Sequence, residues 1–322
     1  MRPSVQFCLL PFVFAAMSIC LFTGCDRYPS RGMNANERGK NEKINVVATI
    51  FPLYDFTREV TGDKAEITML LPPASESHYY EPTPQDIISI QHCDVFIFIG
   101  GESDAWVDKI LGSMDTGMMN IVTLMECVDT VTEEAVEGMQ VHDEEGASYD
   151  EHIWTSPENA KIIVQRITEA LCDADPAHAD TYKENAAAFL TGLDELDGMF
   201  QSVLDSAARK TIVFGDRFPF RYFADAYGLE YYAAFPGCSA EAEASAATVK
   251  FLIDKINAEQ IPVIFHIELS NKKMANAISE ATGAEVRLLH ACQSISKADF
   301  EAGQSYISIM KSNVAALREA LH

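Results

Sequence analysis

The feature that most constrains the fold is an alternation of short apolar runs with segments of helical spacing, which occurs twice along the chain. The runs are rich in Val, Ile and Phe, as buried strands are. They cover residues 44–50, 65–71, 95–99 and 121–124 in the first half, and 211–214, a run after Gly228, 262–267 and 285–289 in the second. This alternation predicts an α/β fold with mostly parallel sheets and helices on both faces.

A repeated Phe-Pro dipeptide indicates that the two halves are alike. Phe51-Pro52 and Phe218-Pro219 each precede a segment of helical spacing that ends at a glycine, Gly62 or Gly228. Proline is favoured in the first turn of a helix and glycine just beyond its last residue. The sequence therefore predicts an internal duplication, with two similar lobes and a ligand cleft at the carboxyl ends of both sheets.

The chain is predicted to have five parts. Its 322 residues are enough for two domains, and leucines and aromatic residues at helical spacing predict a long rigid helix between them. The parts are a lipoprotein signal peptide at 1–24, a flexible tether at 25–43, an N-terminal α/β lobe at 44–174 that contains an acidic loop at 126–151, a connecting helix at 175–208, and a C-terminal α/β lobe at 209–322.

The first residues resemble a bacterial lipoprotein signal. Arg2 is their only charge, the run from Phe7 to Phe22 is mostly apolar, and Thr23-Gly24 precedes Cys25. The apolar run is short for a membrane span. We expect Cys25 to be lipidated, so that a polar tether joins an extracytoplasmic domain to the cell membrane.

The charge of the chain favours cations as ligands. The net charge of −24 argues against a nucleic-acid partner. The loop at 126–151 has acidic residues and neither Lys nor Arg. It is either a solvated surface loop or a mobile loop that collects cations, with His142 as a weak accessory ligand.

The cysteines do not form a disulfide framework. After Cys25, five widely spaced cysteines remain, an odd number that is untypical of disulfide scaffolds. Cys238 and Cys292 both fall in predicted loops of the C-terminal lobe, and we predict a disulfide between them.

A proline-rich loop carries the first candidate ligand, His78. Pro82 and Pro84 fix their own φ angles and stiffen this loop. A histidine on a rigid loop after a strand is well placed to hold a ligand. The alternative is an ordinary surface histidine.

Four residues at strand ends or in loops form a candidate metal site. They are His78 and His152 in the first lobe, and Asp216 and His290 in the second. Three imidazoles and one carboxylate suit four-coordinate Zn²⁺, and Mn²⁺ is an alternative because a carboxylate is a hard ligand. Each residue also has a simpler interpretation, as a loop histidine with a backbone partner or as an aspartate in a local turn or ion pair.

Several motifs in order resemble the solute-binding proteins of zinc/manganese ABC transporters, the ZnuA/TroA type. The resemblance covers about residues 44–322 and implies two lobes, a long connecting helix and one metal site in the cleft. The motifs are Leu71-Pro72-Pro73, His78-Tyr79-Tyr80-Glu81-Pro82, Asp150-Glu151-His152-Ile153-Trp154-Thr155-Ser156-Pro157, Tyr227-Gly228-Leu229, Glu243-Ala244-Ser245 and Thr282-Gly283-Ala284.

The resemblance assigns the candidate ligands one by one. The first and second histidine ligands of the family fall on His78 and His152. The third position, His or Glu in relatives, holds Asp216, and the fourth, usually Asp, holds His290. These two departures leave the C-terminal pair open, with Glu268 as the reserve ligand.

The leading hypothesis is a monomeric binding protein, not an enzyme, that captures Zn²⁺ and delivers it to an ABC transporter permease. A zinc-dependent hydrolase is a second hypothesis. It would need an open metal position and a base such as Glu81 or Glu268, and the sequence has no His-Glu-x-x-His motif. An adhesin or metal-buffer lipoprotein without a transport role is the third.

Overall fold

Two four-stranded parallel sheets dominate the computed structural model, which describes residues 42–77, 80–139, 148–238 and 244–322. The first sheet has the order β2-β1-β3-β4 and the second has the order β6-β5-β7-β8. The strands are β1 (Ile44–Ala48), β2 (Ala65–Met69), β3 (Val95–Phe98), β4 (Asn120–Thr123), β5 (Thr211–Phe218), β6 (Glu230–Pro236), β7 (Val263–His266) and β8 (Glu285–Leu288). Each sheet therefore orders its strands in the same way, and the predicted pair of similar α/β lobes is confirmed.

Ten α-helices are present in the described part of the chain. They are α1 (Phe51–Thr61), α2 (Pro84–Gln91), α3 (Ala105–Leu111), α4 (Pro157–Ala174), α5 (Ala179–Asp205), α6 (Arg221–Tyr227), α7 (Ala246–Glu259), α8 (Lys273–Thr282), α9 (Lys297–Glu301) and α10 (Tyr306–Leu321). As predicted, α1 and α6 end at Gly62 and Gly228, whose φ angles are 56° and 62°. Positive φ angles of this kind favour glycine at the ends of helices.

The long helix α5 is shorter than predicted, because it begins at Ala179 and ends at Asp205. Asp175 ends α4 instead of opening α5. Its carboxylate accepts a hydrogen bond from Tyr182 Oη at 2.8 Å and lies 2.7 Å from His178 Nδ1. These contacts stabilise a turn between the two helices.

One hydrophobic core runs through both halves. Buried side chains of α5, such as Leu193 and Phe200, join apolar residues of the first sheet to those of β5 and α10. Helix α5 packs against α1, α4 and α10. The two sheets are therefore parts of one compact unit.

A buried carboxylate also links the first and last helices. Asp55 of α1 accepts a hydrogen bond from the backbone N–H of Tyr306 at 2.7 Å and one from Arg58 at 2.6 Å. Burial raises the pKa of Asp55 to about 6, and the hydrogen bonds and the charge of Arg58 offset only part of this effect. The Tyr306 hydroxyl donates to the carbonyl of Trp154 at 2.6 Å.

The predicted disulfide is wrong, because the thiols of Cys238 and Cys292 are both free. Cys238 follows β6, where its backbone N–H donates to Glu133 Oε1 at 2.6 Å. Cys292 lies fully buried in the loop after β8, with its Sγ 3.8 Å from the carbonyl oxygen of His290. Each cysteine is thus fixed by its own neighbours, and lying in loops of the same lobe does not bring them together.

No helix in the described ranges is long and apolar enough to cross a membrane. Cys25 and the predicted signal peptide lie outside these ranges.

Candidate metal centre

His152 lies in a buried turn just before α4. The turn ends at Ser156, whose side chain caps α4 by accepting the Asn159 N–H at 3.5 Å. Pro157 then occupies the first helical position, where proline is favoured. The His152 side chain is completely buried, so this histidine is not an ordinary surface residue.

Asp150 fixes the orientation of the His152 ring. Its Oδ1 accepts the backbone N–H of His152 at 2.8 Å and lies 3.0 Å from His152 Nδ1. A carboxylate in this position favours the tautomer in which Nδ1 carries the proton and Nε2 keeps its lone pair. Metal-bound histidines have the same kind of partner on their second nitrogen.

The electrostatic surroundings of His152 are strongly negative. Burial alone lowers its pKa, but the carboxylates of Asp150, Glu151 and Glu133 together raise it above its ordinary value. These carboxylates stabilise positive charge on the ring, and the same field would stabilise a bound cation.

Asp216 lies within strand β5, and not in the predicted loop after residue 214. The pairing of β5 with β6 is irregular between Phe214 and Arg217, so Asp216 lies at a bulge. Its Oδ1 accepts the Arg217 N–H at 2.9 Å. Its Oδ2 is buried and has no hydrogen-bond partner in the described part of the chain. A buried carboxylate oxygen without a partner is costly, so it is a good candidate for a ligand atom.

His290 follows β8 and is mostly buried, but its hydrogen bonds differ from those of His152. Its Nδ1 accepts the backbone N–H of Cys292 at 2.9 Å, while Glu268 Oε2 lies 3.5 Å away. Nδ1 would therefore be the acceptor nitrogen and Nε2 would carry the proton. Metal binding through Nε2 requires that proton to leave the ring or to move to Nδ1. In the second case, the Nδ1–H group would face the Glu268 carboxylate as a hydrogen-bond acceptor.

Glu268, the reserve ligand, is occupied with the loop after β8. Its carboxylate accepts backbone N–H groups of Ala291 at 2.7 Å and of Gln293 at 2.9 Å. These bonds shape the loop that carries His290. The arrangement suits a residue that positions a ligand better than one that binds metal directly.

Two side-chain contacts join the segments next to His78 to the second lobe. Arg217, next to Asp216, pairs with Glu76 at 2.7 Å. Gln293 donates to Ser77 Oγ at 2.5 Å. His78 itself lies outside the described residues, but its flanking segment is bound to the segments that carry Asp216 and His290.

A third contact joins the His152 turn to the His290 loop. The indole N–H of Trp154 donates to the carbonyl of Ala291 at 2.7 Å, and the indole is buried. Gly237 also lies close to the His152 ring, because a Cβ atom there would be 3.2 Å from His152 Nδ1. All four predicted ligand segments are therefore joined to at least one other by short contacts.

These contacts do not assemble a complete site from the described residues alone. Within the described ranges, no group of three or more His, Cys, Asp or Glu side chains is close enough to hold a metal ion. His78 and the accessory candidate His142 both lie outside those ranges. The four-ligand set stays a prediction.

A small, mostly apolar cavity adjoins the His152 turn. Asp104 and Glu151 line it together with Thr49 and Trp154. Burial raises the pKa of Asp104 to about 7, although the Gly100 N–H lowers it. Below pH 7 the Asp104 carboxyl is therefore mostly protonated, and of these two acidic residues it is Glu151 whose charge acts on His152.

Sequence reasoning missed the residue that orients His152. Asp150 belongs to the motif that precedes α4 and to the acidic loop at 126–151, and neither feature alone indicates a contact with the His152 ring. An aspartate two residues before a candidate ligand histidine was the available signal, since such a carboxylate can reach back to the ring.

The repeated parallel sheets and the joined strand-end segments define a two-lobed α/β solute-binding protein. The family model for ZnuA, described as the periplasmic component A of a zinc-uptake complex, matches residues 46–320. The chain belongs to this family. Proteins of the family are binding components of transport systems and not enzymes, so the hydrolase hypothesis is set aside.

The chain is similar to proteins whose names refer to zinc binding or zinc uptake. The zinc-binding lipoprotein AdcA of Streptococcus pneumoniae strain R6 is 32% identical over 290 residues, which are 88% of this chain and 57% of AdcA. The high-affinity zinc uptake system protein ZnuA of Bacillus subtilis is 31% identical over 313 residues, 96% of each chain. The chain thus spans just over half the length of AdcA.

A solved structure of a relative has the same fold. The crystal structure of the Zn(II)-bound ZnuA-like domain of Streptococcus pneumoniae AdcA matches with a TM-score of 0.73 and 30% identity, over 87% of this chain and 99% of that domain. The match is thus to one domain of AdcA.

Proposed function

We propose that this protein captures Zn²⁺ outside the cell membrane and delivers it to an ABC transporter permease. The observation that carries the proposal is the buried pair of His152 and Asp150, in which the carboxylate holds the histidine through its backbone N–H and its Nδ1. Membership of a family of zinc-uptake components supports the same function.

The proposed ligands are His78, His152, Asp216 and His290. Zn²⁺ is the favoured ion because imidazoles outnumber carboxylates in this set, and Mn²⁺ is the alternative. The buried Asp216 Oδ2 supports a carboxylate ligand from the second lobe. Glu268 is proposed to position His290.

Calorimetric titration of metal-free protein with Zn²⁺ and Mn²⁺ tests the site. We expect one Zn²⁺ per chain and a loss of affinity of at least 100-fold in H78A and H152A. His92 provides the control, because it is a partly exposed histidine at the end of α2 whose Nδ1 lies 2.7 Å from the Ile88 carbonyl oxygen, and H92A should bind zinc normally. Unchanged zinc affinity in both ligand variants would contradict the proposal.

The proposed membrane anchor and partner need separate experiments. Labelling of cells with a radioactive fatty acid should mark the wild-type protein and not Cys25→Ser. Purified zinc-loaded protein should stimulate ATP hydrolysis by its reconstituted permease and ATPase, and zinc-free H152A should not. Stimulation that is equal with and without bound zinc would contradict the delivery role.

A further inference from the structure

Two short segments of the acidic loop form an antiparallel pair that we call the clasp, residues 131–134 and 148–150. Thr132 and Tyr149 form the antiparallel bridge. Around it, the Glu133 N–H donates to the Ser148 carbonyl at 2.8 Å, and the Asp150 N–H donates to the Val131 carbonyl at 2.9 Å. Both ends of the acidic loop are thus ordered, and Asp150 lies at the base of the clasp.

The clasp is attached to helix α6 of the second lobe by one tyrosine. The buried Tyr222 hydroxyl donates to the Asp150 carbonyl at 2.8 Å and accepts the Val131 N–H at 3.3 Å. One hydroxyl therefore binds both segments of the clasp, and it does so next to the residue that orients His152.

Two further contacts attach the clasp to the second lobe. Glu133 accepts the Cys238 N–H after β6 at 2.6 Å, and Glu134 pairs with Arg221 on α6. The Tyr222–Asp150 bond is buried and the Glu133–Cys238 bond is partly buried, and hydrogen bonds shielded from solvent keep more of their strength than exposed ones.

We propose that Tyr222 is a positioning residue for metal binding, because it holds the Asp150 backbone so that the Asp150 carboxylate orients the His152 ring. Contacts run from Tyr222 Oη to the Asp150 carbonyl, and from Asp150 Oδ1 to the N–H and Nδ1 of His152. Helix α6 of the second lobe thereby controls a ligand attached to the first. This inference rests on the proposed function and extends it.

The expected change in zinc affinity follows from the usual effect of residues that hydrogen-bond to metal ligands. Removing a group that orients a ligand typically weakens metal binding by about 10- to 100-fold. Tyr222→Phe removes only the hydroxyl and leaves the ring packed. We therefore expect the Kd for zinc to rise by about 10-fold, near the low end of that range, because Asp150 itself remains.

The same helix offers a matched control. Tyr227 also lies on α6, and its hydroxyl donates to Asp197 of α5 at 2.6 Å, away from the clasp. Tyr227→Phe removes an equivalent hydrogen bond from the same helix. It should lower stability and leave the Kd for zinc within about 2-fold of wild type, since distant positions without shared partners act independently.

The experiment measures zinc affinity of the full chain by competition with a chromophoric chelator, and the tautomer of His152 by nitrogen-15 NMR of the metal-free protein. In wild type and Tyr227→Phe, the Nδ1-protonated tautomer should dominate. In Tyr222→Phe, the Kd should rise and the tautomer signal should broaden or shift. A purely structural role of Tyr222 would lower the melting temperature without changing either readout.

Equal zinc affinity and equal His152 signals in folded Tyr222→Phe and Tyr227→Phe would overturn the inference. If Tyr222→Phe is too unstable under ordinary conditions, all three proteins are compared in a stabilising osmolyte such as sucrose, which favours the folded state. A Kd for zinc within about 2-fold of wild type in Tyr222→Phe under those conditions would likewise overturn the inference. Failure of wild type to bind zinc would instead contradict the proposed function.

Discussion

Replacing Asp150 by asparagine is the most direct test of whether Asp150 orients His152 for metal binding. The Asp150 side chain is 2% exposed, so its charge is hardly screened by water. A hydrogen bond to a charged group contributes about 1.5–3 kcal/mol. Asparagine can still accept the His152 N–H, but it no longer stabilises positive charge on a metal-bound ring. We expect the Kd for zinc to rise by about 10- to 150-fold.

The assay pairs zinc titration with urea unfolding of the metal-free protein. Asp175 supplies the control, since it is also a buried aspartate beside a histidine, 2.7 Å from His178 Nδ1, but it lies between α4 and α5. Asp175→Asn should reduce stability without weakening zinc binding. If Asp150→Asn and Asp175→Asn bind zinc equally well, the orientation of His152 by Asp150 has no functional value and the reasoning fails.

Three further changes test other parts of the structure. Gly237→Ala would place a methyl group 3.2 Å from the His152 ring and 2.9 Å from a carbonyl oxygen. Zinc titration should show at least about 10-fold weaker binding, as when other groups that orient a metal ligand are changed. Zinc binding with wild-type affinity would contradict this prediction. Trp154→Phe leaves the Ala291 carbonyl without its donor, and urea unfolding should show a loss of about 1–3 kcal/mol. The pKa of Asp55 rises from 3.8 to about 6 on folding, so the folded protein holds this proton more tightly than the unfolded chain. The resulting contribution to the free energy of unfolding is complete below about pH 4 and is lost as the pH rises through about 6. The free energy of unfolding of Asp55→Asn should therefore gain up to about 3 kcal/mol relative to wild type between pH 4 and 7, and a constant difference would refute the shift.

The strands were predictable because their physical signal is local. Val, Ile and Phe runs bounded by turn residues predict buried strands, and the strand of each such run is present within a few residues. The predicted strand bounds are wrong where contacts between residues distant in sequence determine the length of a strand. Strand β5 continues to Phe218 because it pairs with β6 across a bulge, and the sequence around Asp216 does not carry that information.

Long-range pairing also explains the features that the sequence did not predict. The clasp depends on Thr132 meeting Tyr149 across the acidic loop, and no local pattern marks that pairing. The free cysteines have the same cause, since the sequence positions of Cys238 and Cys292 give no distance between them. In the site, Ser156 and Pro157 are typical of a helix start, so a turn at His152 just before α4 is consistent with the local sequence. The contact between Asp150 and the His152 ring depends on side-chain orientation, which the local sequence does not specify.

The contacts between the lobes bear on how a bound ion could leave. Opening the lobes as rigid bodies would break the Trp154–Ala291 and Tyr306–Trp154 hydrogen bonds and divide the core that runs through α5. Unpaired buried groups cost about 1–3 kcal/mol each, and separated apolar surface adds to this cost. Movement of the clasp away from α6 breaks the two bonds of the Tyr222 hydroxyl and the contacts of Glu133 and Glu134, and it leaves the core around α5 intact. We therefore expect metal release to proceed through local movement of the clasp, with the lobes remaining packed on α5.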